Sequence, residues 1–155
     1  MTFSNVDRRM KPLVSLFLSA GLVIGCSPAS HAFHTTLSSQ GQYPLPLVLN
    51  DGTSLVTAID STTPDLTPPT SPTDASLQVR AAPGLPNAFI AHWLGGACAR
   101  DAVLTFTRSG ARYELHLAVY SRSGACIAVG VFRAVRISTS VPIAVDSITA
   151  SGSEL

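Results

Sequence analysis

A chain of 155 residues with 46% hydrophobic and only 12% charged residues is long and apolar enough for one packed domain. Its formal charge of +1 comes from the first residues: Arg8, Arg9 and Lys11 lie near the start, whereas beyond Cys26 seven arginines face eight acids, a net −1. That balance offers no basic surface, so no nucleic-acid partner is expected.

The basic cluster Arg8, Arg9, Lys11 runs into PLVSLFLSAGLVIG, the n-region and h-region pattern of a secretory signal peptide over residues 1–25. The apolar run falls short of the roughly 20 residues that a membrane-spanning helix needs, and Gly21 and Gly25 lower its helix propensity. At its end stands VIGC, residues 23–26, which resembles the lipobox of bacterial lipoproteins. The resemblance implies that Cys26 becomes the first residue of the mature protein and carries acyl chains, palmitate among them, that hold it to the cell membrane or outer membrane. A second cut, after Ala32 in SHA, would instead release a soluble chain starting at Phe33. The lipobox fits better, because its cysteine meets the membrane at the end of the apolar run.

Residues 33–43, FHTTLSSQGQY, are polar with no helical period and read as the end of a lipid-anchored tether over 26–43, with a single β domain over 44–155. The β-rich runs 47–49 and 55–59 flank Asn50, Asp51 and Gly52, which predicts a hairpin. Residues 61–76 are almost wholly Ser, Thr, Pro and Asp and read as an extended loop within the domain. ASLQVR and AFIAHW are short strands separated by the breakers Pro83, Gly84 and Pro86. AVLTFTRSGARYELHLAVY predicts a hairpin turning at Ser109 and Gly110, with Tyr113, Leu115, Leu117 and Val119 on one face of its second arm. GVFRAVRIS continues the alternation, placing Val131, Arg133, Val135 and Ile137 opposite Phe132, Ala134 and Arg136, so that Arg133 and Arg136 do not form one basic patch. VPIAVDSIT supplies a last edge strand entered at Pro142.

Turn signals recur about every 8 to 12 residues and no helical period is sustained, which predicts an all-β fold. The expected form is a small antiparallel β-sandwich or partly open barrel of about seven or eight strands. Export leaves Cys98 and Cys126 as the one possible disulfide pair, since Cys26 is either acylated or removed. That bridge would contribute roughly 3 to 4 kcal/mol in the chain-entropy picture. The order Trp93, Cys98, Cys126 does not match the immunoglobulin pattern, in which the tryptophan lies between the cysteines.

HWLGGAC, LTF, YELHLAV and GVFRAVRIS before Pro-Ile resemble, over roughly residues 88–148, a group of small uncharacterised bacterial secreted proteins and lipoproteins. The resemblance implies a disulfide-linked β domain at the cell envelope. It carries no activity and no catalytic residues.

The densest chemistry is HWLGGACARD, residues 92–101. One reading has Gly95 and Gly96 form a tight loop exposing Trp93 for stacking, with Arg100 and Asp101 beside it for an anion. The favoured reading is a strand and a Gly-Gly turn, with Trp93 in the core and Arg100 and Asp101 on the surface. His31 and His34 alone make a poor metal site, so no metal and no cofactor is expected. Serines are plentiful, but no G-x-S-x-G elbow and no paired acid and base argue for an enzyme. The expectation is a non-enzymatic binding or structural module whose partners are the membrane and envelope proteins or cell-wall components. The rival is a small hydrolase or enzyme accessory with a site near Trp93, Arg100 and Asp101.

Overall fold

The structure, a computed structural model, describes residues 30–39, 42–62, 77–125 and 129–155. Nine strands occur among them: β1 (His31–Ser39), β2 (Gln42–Asp51), β3 (Val56–Ser61), β4 (Gln78–Ala81), β5 (Ala88–Gly96), β6 (Ala99–Ser109), β7 (Arg112–Ser121), β8 (Gly130–Thr139) and β9 (Ile148–Glu154). They form two sheets, ordered β1-β2-β6-β7-β9 and β3-β8-β5-β4.

The alternation read from the sequence decides which side chains meet. Ala102, Leu104 and Phe106 of β6, Leu115 and Leu117 of β7, Phe89 and Trp93 of β5, and Val135 and Ile137 of β8 join Leu37 of β1 and Leu45, Leu47 and Leu49 of β2 in one buried cluster drawn from both sheets. The rings of Phe89 and Phe106 meet across the sheets with centroids 5.6 Å apart, and Phe106 stacks on Tyr113 at 5.4 Å. Each such side chain, fully buried, stabilises the fold by about 1.5–3 kcal/mol. The β6–β7 hairpin closes at Gly110, whose φ of 63° lies in the region that glycine adopts without strain.

The all-β expectation holds, with corrections. Among the described residues the strands number nine rather than about seven or eight, and the five-stranded sheet is mixed: β2 runs parallel to β6 and β7 parallel to β9, while the four-stranded sheet is antiparallel throughout. Strands 2 and 3 are not a hairpin. β2 pairs with β1 and β6, β3 pairs with β8, and residues 52–55 carry the chain from one sheet to the other. The Asp-Gly signal marks a different turn. Asp51 is fully buried, and its carboxylate accepts hydrogen bonds from Thr53 N (2.7 Å), Thr53 Oγ1 (2.6 Å) and Val56 N (2.9 Å). The polar stretch expected as a tether is strand from His31 onward, paired antiparallel with β2 and burying Leu37, because its period-two pattern outweighs its polar composition. The last edge strand starts at Ile148 rather than directly after Pro142, with a 3-10 turn over Val145–Ser147 between them.

These pairings sort the connections to two ends. The start of β1 shares one end with residues 52–55, 82–87, 110–111 and 140–147, tied by the bonds from Gly52 N to Phe106 O, Thr139 N to Asn87 O and Ser140 N to Leu55 O, each 2.8 Å. At the opposite end lie the Ala97–Cys98 turn, residues 122–125 and the end of β9.

Candidate functional site

Trp93 points inward from β5 and is 2% exposed. Its indole Nε1 is buried without a hydrogen-bond partner. Leaving such a donor unpaired costs about 1–3 kcal/mol, so this atom needs a physical account. The indole lines a cavity of about 130 Å3 between the sheets, at the end holding Cys98. Leu117 and Val119 give it apolar walls, and Gly95, Gly96 and Gly152 leave it open. Gly95 sits two residues on, on the same face of β5, and a Cβ there would come within 3.3 Å of Nε1. The absent side chain is what leaves space beside the indole N–H. Glu154 stands among the lining residues and accepts a 2.8 Å hydrogen bond from Ser121 Oγ. The cavity therefore combines apolar walls, one buried donor and one rim carboxylate, a set that accepts a small neutral group bearing an acceptor and disfavours an anion.

The structure separates the residues that the sequence placed together. Arg100 and Asp101, on β6, hold each other in an exposed ion pair, Nε to Oδ2 at 2.8 Å, and do not line the Trp93 cavity. Trp93 is core and is not exposed for stacking. His31 and His34 lie on opposite faces of β1 by strand parity, and no group of three or more His, Cys, Asp or Glu that could hold a metal occurs among the described residues. Cys26 and Cys126 fall outside the described residues.

Three clusters escaped the sequence reading because strand pairing alone assembles them. His116 of β7 faces β9, with Nδ1 3.0 Å from Ser151 Oγ and Nε2 3.4 Å from Ser153 Oγ, exposed on the outer face of the five-stranded sheet. On the outer face of the other sheet, Arg136 binds Asp60 at 3.0 Å, and Ile90 separates it from Arg80. His92 shares that face, and burial together with the nearby Arg80 guanidinium lowers its pKa below the usual histidine value. Finally, Arg133 is 2% exposed. Its Nη1 donates to the carbonyls of Leu37 (3.4 Å) and Tyr43, while Nε and Nη2 are buried with no partner, and burial lowers its pKa. Parity had put Arg133 on the inward face, but nothing in the sequence marks a cation that reaches across to Leu37 of β1 and Tyr43 of β2.

No family model, no curated protein and no solved structure matches this chain.

Proposed function

We propose that this chain is a lipid-anchored module of the bacterial envelope, held at Cys26, that binds a small neutral acceptor-bearing group in the Trp93 cavity and performs no chemistry on it. The observation that carries the reading is the buried, unpartnered Trp93 N–H on a cavity that three glycines keep open. An amide carbonyl satisfies that donor, and a methyl beside it fits the apolar walls, so an acetamido group on a cell-wall glycan has the required chemistry.

The anchored reading draws support from β1. A cut after Ala32 would remove His31 and Ala32 from their pairing with Asp51 and Asn50, whereas a cut before Cys26 leaves the strand whole. Two sheets around one core support the β-sandwich form. The pairing Cys98–Cys126 is part of the same proposal. Cys98 is disulfide-bonded, and the bonds from Arg122 N to Cys98 O and from Ala97 N to Val129 O, each 3.1 Å, bring both flanks of Cys126 to the Cys98 turn.

The rival hydrolase reading keeps the cavity but loses its polar partners, since Arg100 and Asp101 satisfy each other. Trp93 is the chain's sole tryptophan, so its fluorescence reports the cavity directly. Titration with N-acetylated cell-wall fragments is expected to give a saturable change that Trp93→Phe variants, followed by calorimetry, no longer bind. Turnover of a fragment would favour the rival, and equal binding by the phenylalanine variant would remove the cavity from the account.

A further inference from the structure

The end of the domain that holds the start of β1 is assembled from five separate pieces of chain, and its surface chemistry differs from that of an ordinary loop cluster. Leu85 and Val141, each 44% exposed, project from two of those connections. Leu85, Ile143 and Val145 line an open apolar groove of about 470 Å3 at this end. At the same end, the β6–β7 hairpin presents the exposed cations Arg108 and Arg112. Arg108 lies over the Tyr113 ring, 5.9 Å from its centroid, and donates from Nε to Gly110 O at 3.1 Å, which holds its charge at the tip of the domain. The exposed acids near this end are Asp146 and Glu114, the latter further from the hairpin tip than Arg108 and Arg112, while Asp51 is buried and fully bonded.

We infer that this end is a membrane-docking surface whose partner is an anionic phospholipid bilayer: Leu85, Val141 and the groove enter the interface while Arg108 and Arg112 meet the headgroup phosphates. The inference rests on the acylated-Cys26 reading for its geometry. Five peptide units separate Cys26 from His31, so a thioether-linked lipid lies at most about 18 Å from the first residue of β1. A connection that short keeps this end, and not the Cys98 end, next to the lipid. Apolar side chains flanked by arginines are the composition that settles at the headgroup boundary, where the arginine stems bury and the guanidinium groups stay in the polar layer. Each arginine near an anionic surface raises partitioning about fivefold. The same orientation points the Trp93 cavity away from the bilayer, toward the cell-wall material proposed above as its ligand source.

The test uses the full protein purified from its host membranes and reconstituted into vesicles of phosphatidylglycerol and phosphatidylethanolamine, or of phosphatidylcholine alone. Backbone hydrogen exchange is read by mass spectrometry, with intact mass reporting acylation on the same sample. The expected result is slowed exchange at residues 83–86, 110–112 and 141–145 on the anionic vesicles, with residues 97–98 and 122–125 unchanged. Arg112→Glu and Val141→Glu, both at exposed positions, are expected to restore fast exchange at those loops while leaving exchange in β5 and β8 unaltered. An acylated protein with no slowing at these loops, or with equal slowing on phosphatidylcholine, overturns the docking surface. Slowing that follows protein density rather than lipid charge assigns the groove to a second copy of the chain and also overturns it. An unacylated chain whose loops still slow on anionic vesicles leaves the surface standing and removes the anchor instead.

Discussion

Replacing Asp51 tests the sheet-to-sheet crossing most sharply, because the hairpin suggested by the sequence and the crossing found in the fold predict different costs. In a two-residue hairpin Asp51 would be a solvated turn residue, and Asp51→Ala would cost within about 0.5 kcal/mol, as surface substitutions do. In the structure its carboxylate is fully buried and accepts three hydrogen bonds. Removing it strands the Val56 N–H, whose bond to Asp51 is buried, at a cost of about 1–3 kcal/mol. The two bonds from Thr53 are only partly buried, so water replaces much of them, and their loss adds about 1 kcal/mol in total. Relief from desolvating the carboxylate offsets some of this. The expected net loss is about 2 kcal/mol, or roughly 6 °C in Tm for a domain of this size. Asp51→Asn keeps one acceptor oxygen and should cost less, and Thr53→Val should cost least. Urea denaturation with an unchanged m value is the assay. A loss for Asp51→Ala below about 1 kcal/mol, or a reversal of that order, would refute the buried crossing.

Arg133→Met is expected to raise stability by about 1 kcal/mol, since it removes a desolvated charge and two unpaired buried nitrogens, Nε and Nη2, while keeping an unbranched, if shorter, stem in the core; Arg133→Ala, which leaves a larger void, should lower it in the same urea titration. His92 binds its proton less readily folded than unfolded. Its contribution is therefore complete above the unfolded value near 6.5 and is lost as pH falls from there toward the lowered folded pKa, so the urea midpoint should drop between pH 7.5 and 5.5 in the native chain, with a smaller drop in His92→Gln. Reduction of the proposed Cys98–Cys126 bridge should cost about 3 kcal/mol, read as a shift in thermal midpoint that Cys98→Ala with Cys126→Ala reproduces.

The second half of the chain was legible in its side chains. Alternation from Ala88 to Thr139 names most of the core, because a strand buried on one face fixes which residues can point inward. The first half was not. In β1 the inward positions include Phe33 and Thr35 as well as Leu37, a weak apolar signal, and β1 is held by pairing with β2, whose register no local pattern reveals. Parallel pairing of β7 with β9 likewise depends on the chain's return after the 3-10 turn, so the contact between His116 and Ser151 has no trace in either segment read alone. Asp51 misled for a physical reason: the residue type that favours a tight turn also bonds its own following backbone, and here that bonding carries the chain across the core. For the candidate site, HWLGGACARD held Trp93, Gly95 and Gly96, while the residues that complete the cavity lining, Leu117, Gly152 and Glu154, come from strands distant in sequence.

The claim on which orientation and function both depend is that Cys26 is the acylated first residue of the mature protein. Intact-mass measurement of the protein extracted from its host's membranes tests it most directly. The account predicts a chain beginning at Cys26 and heavier than its polypeptide mass by a diacylglycerol group; an unmodified chain beginning at Phe33 would contradict it.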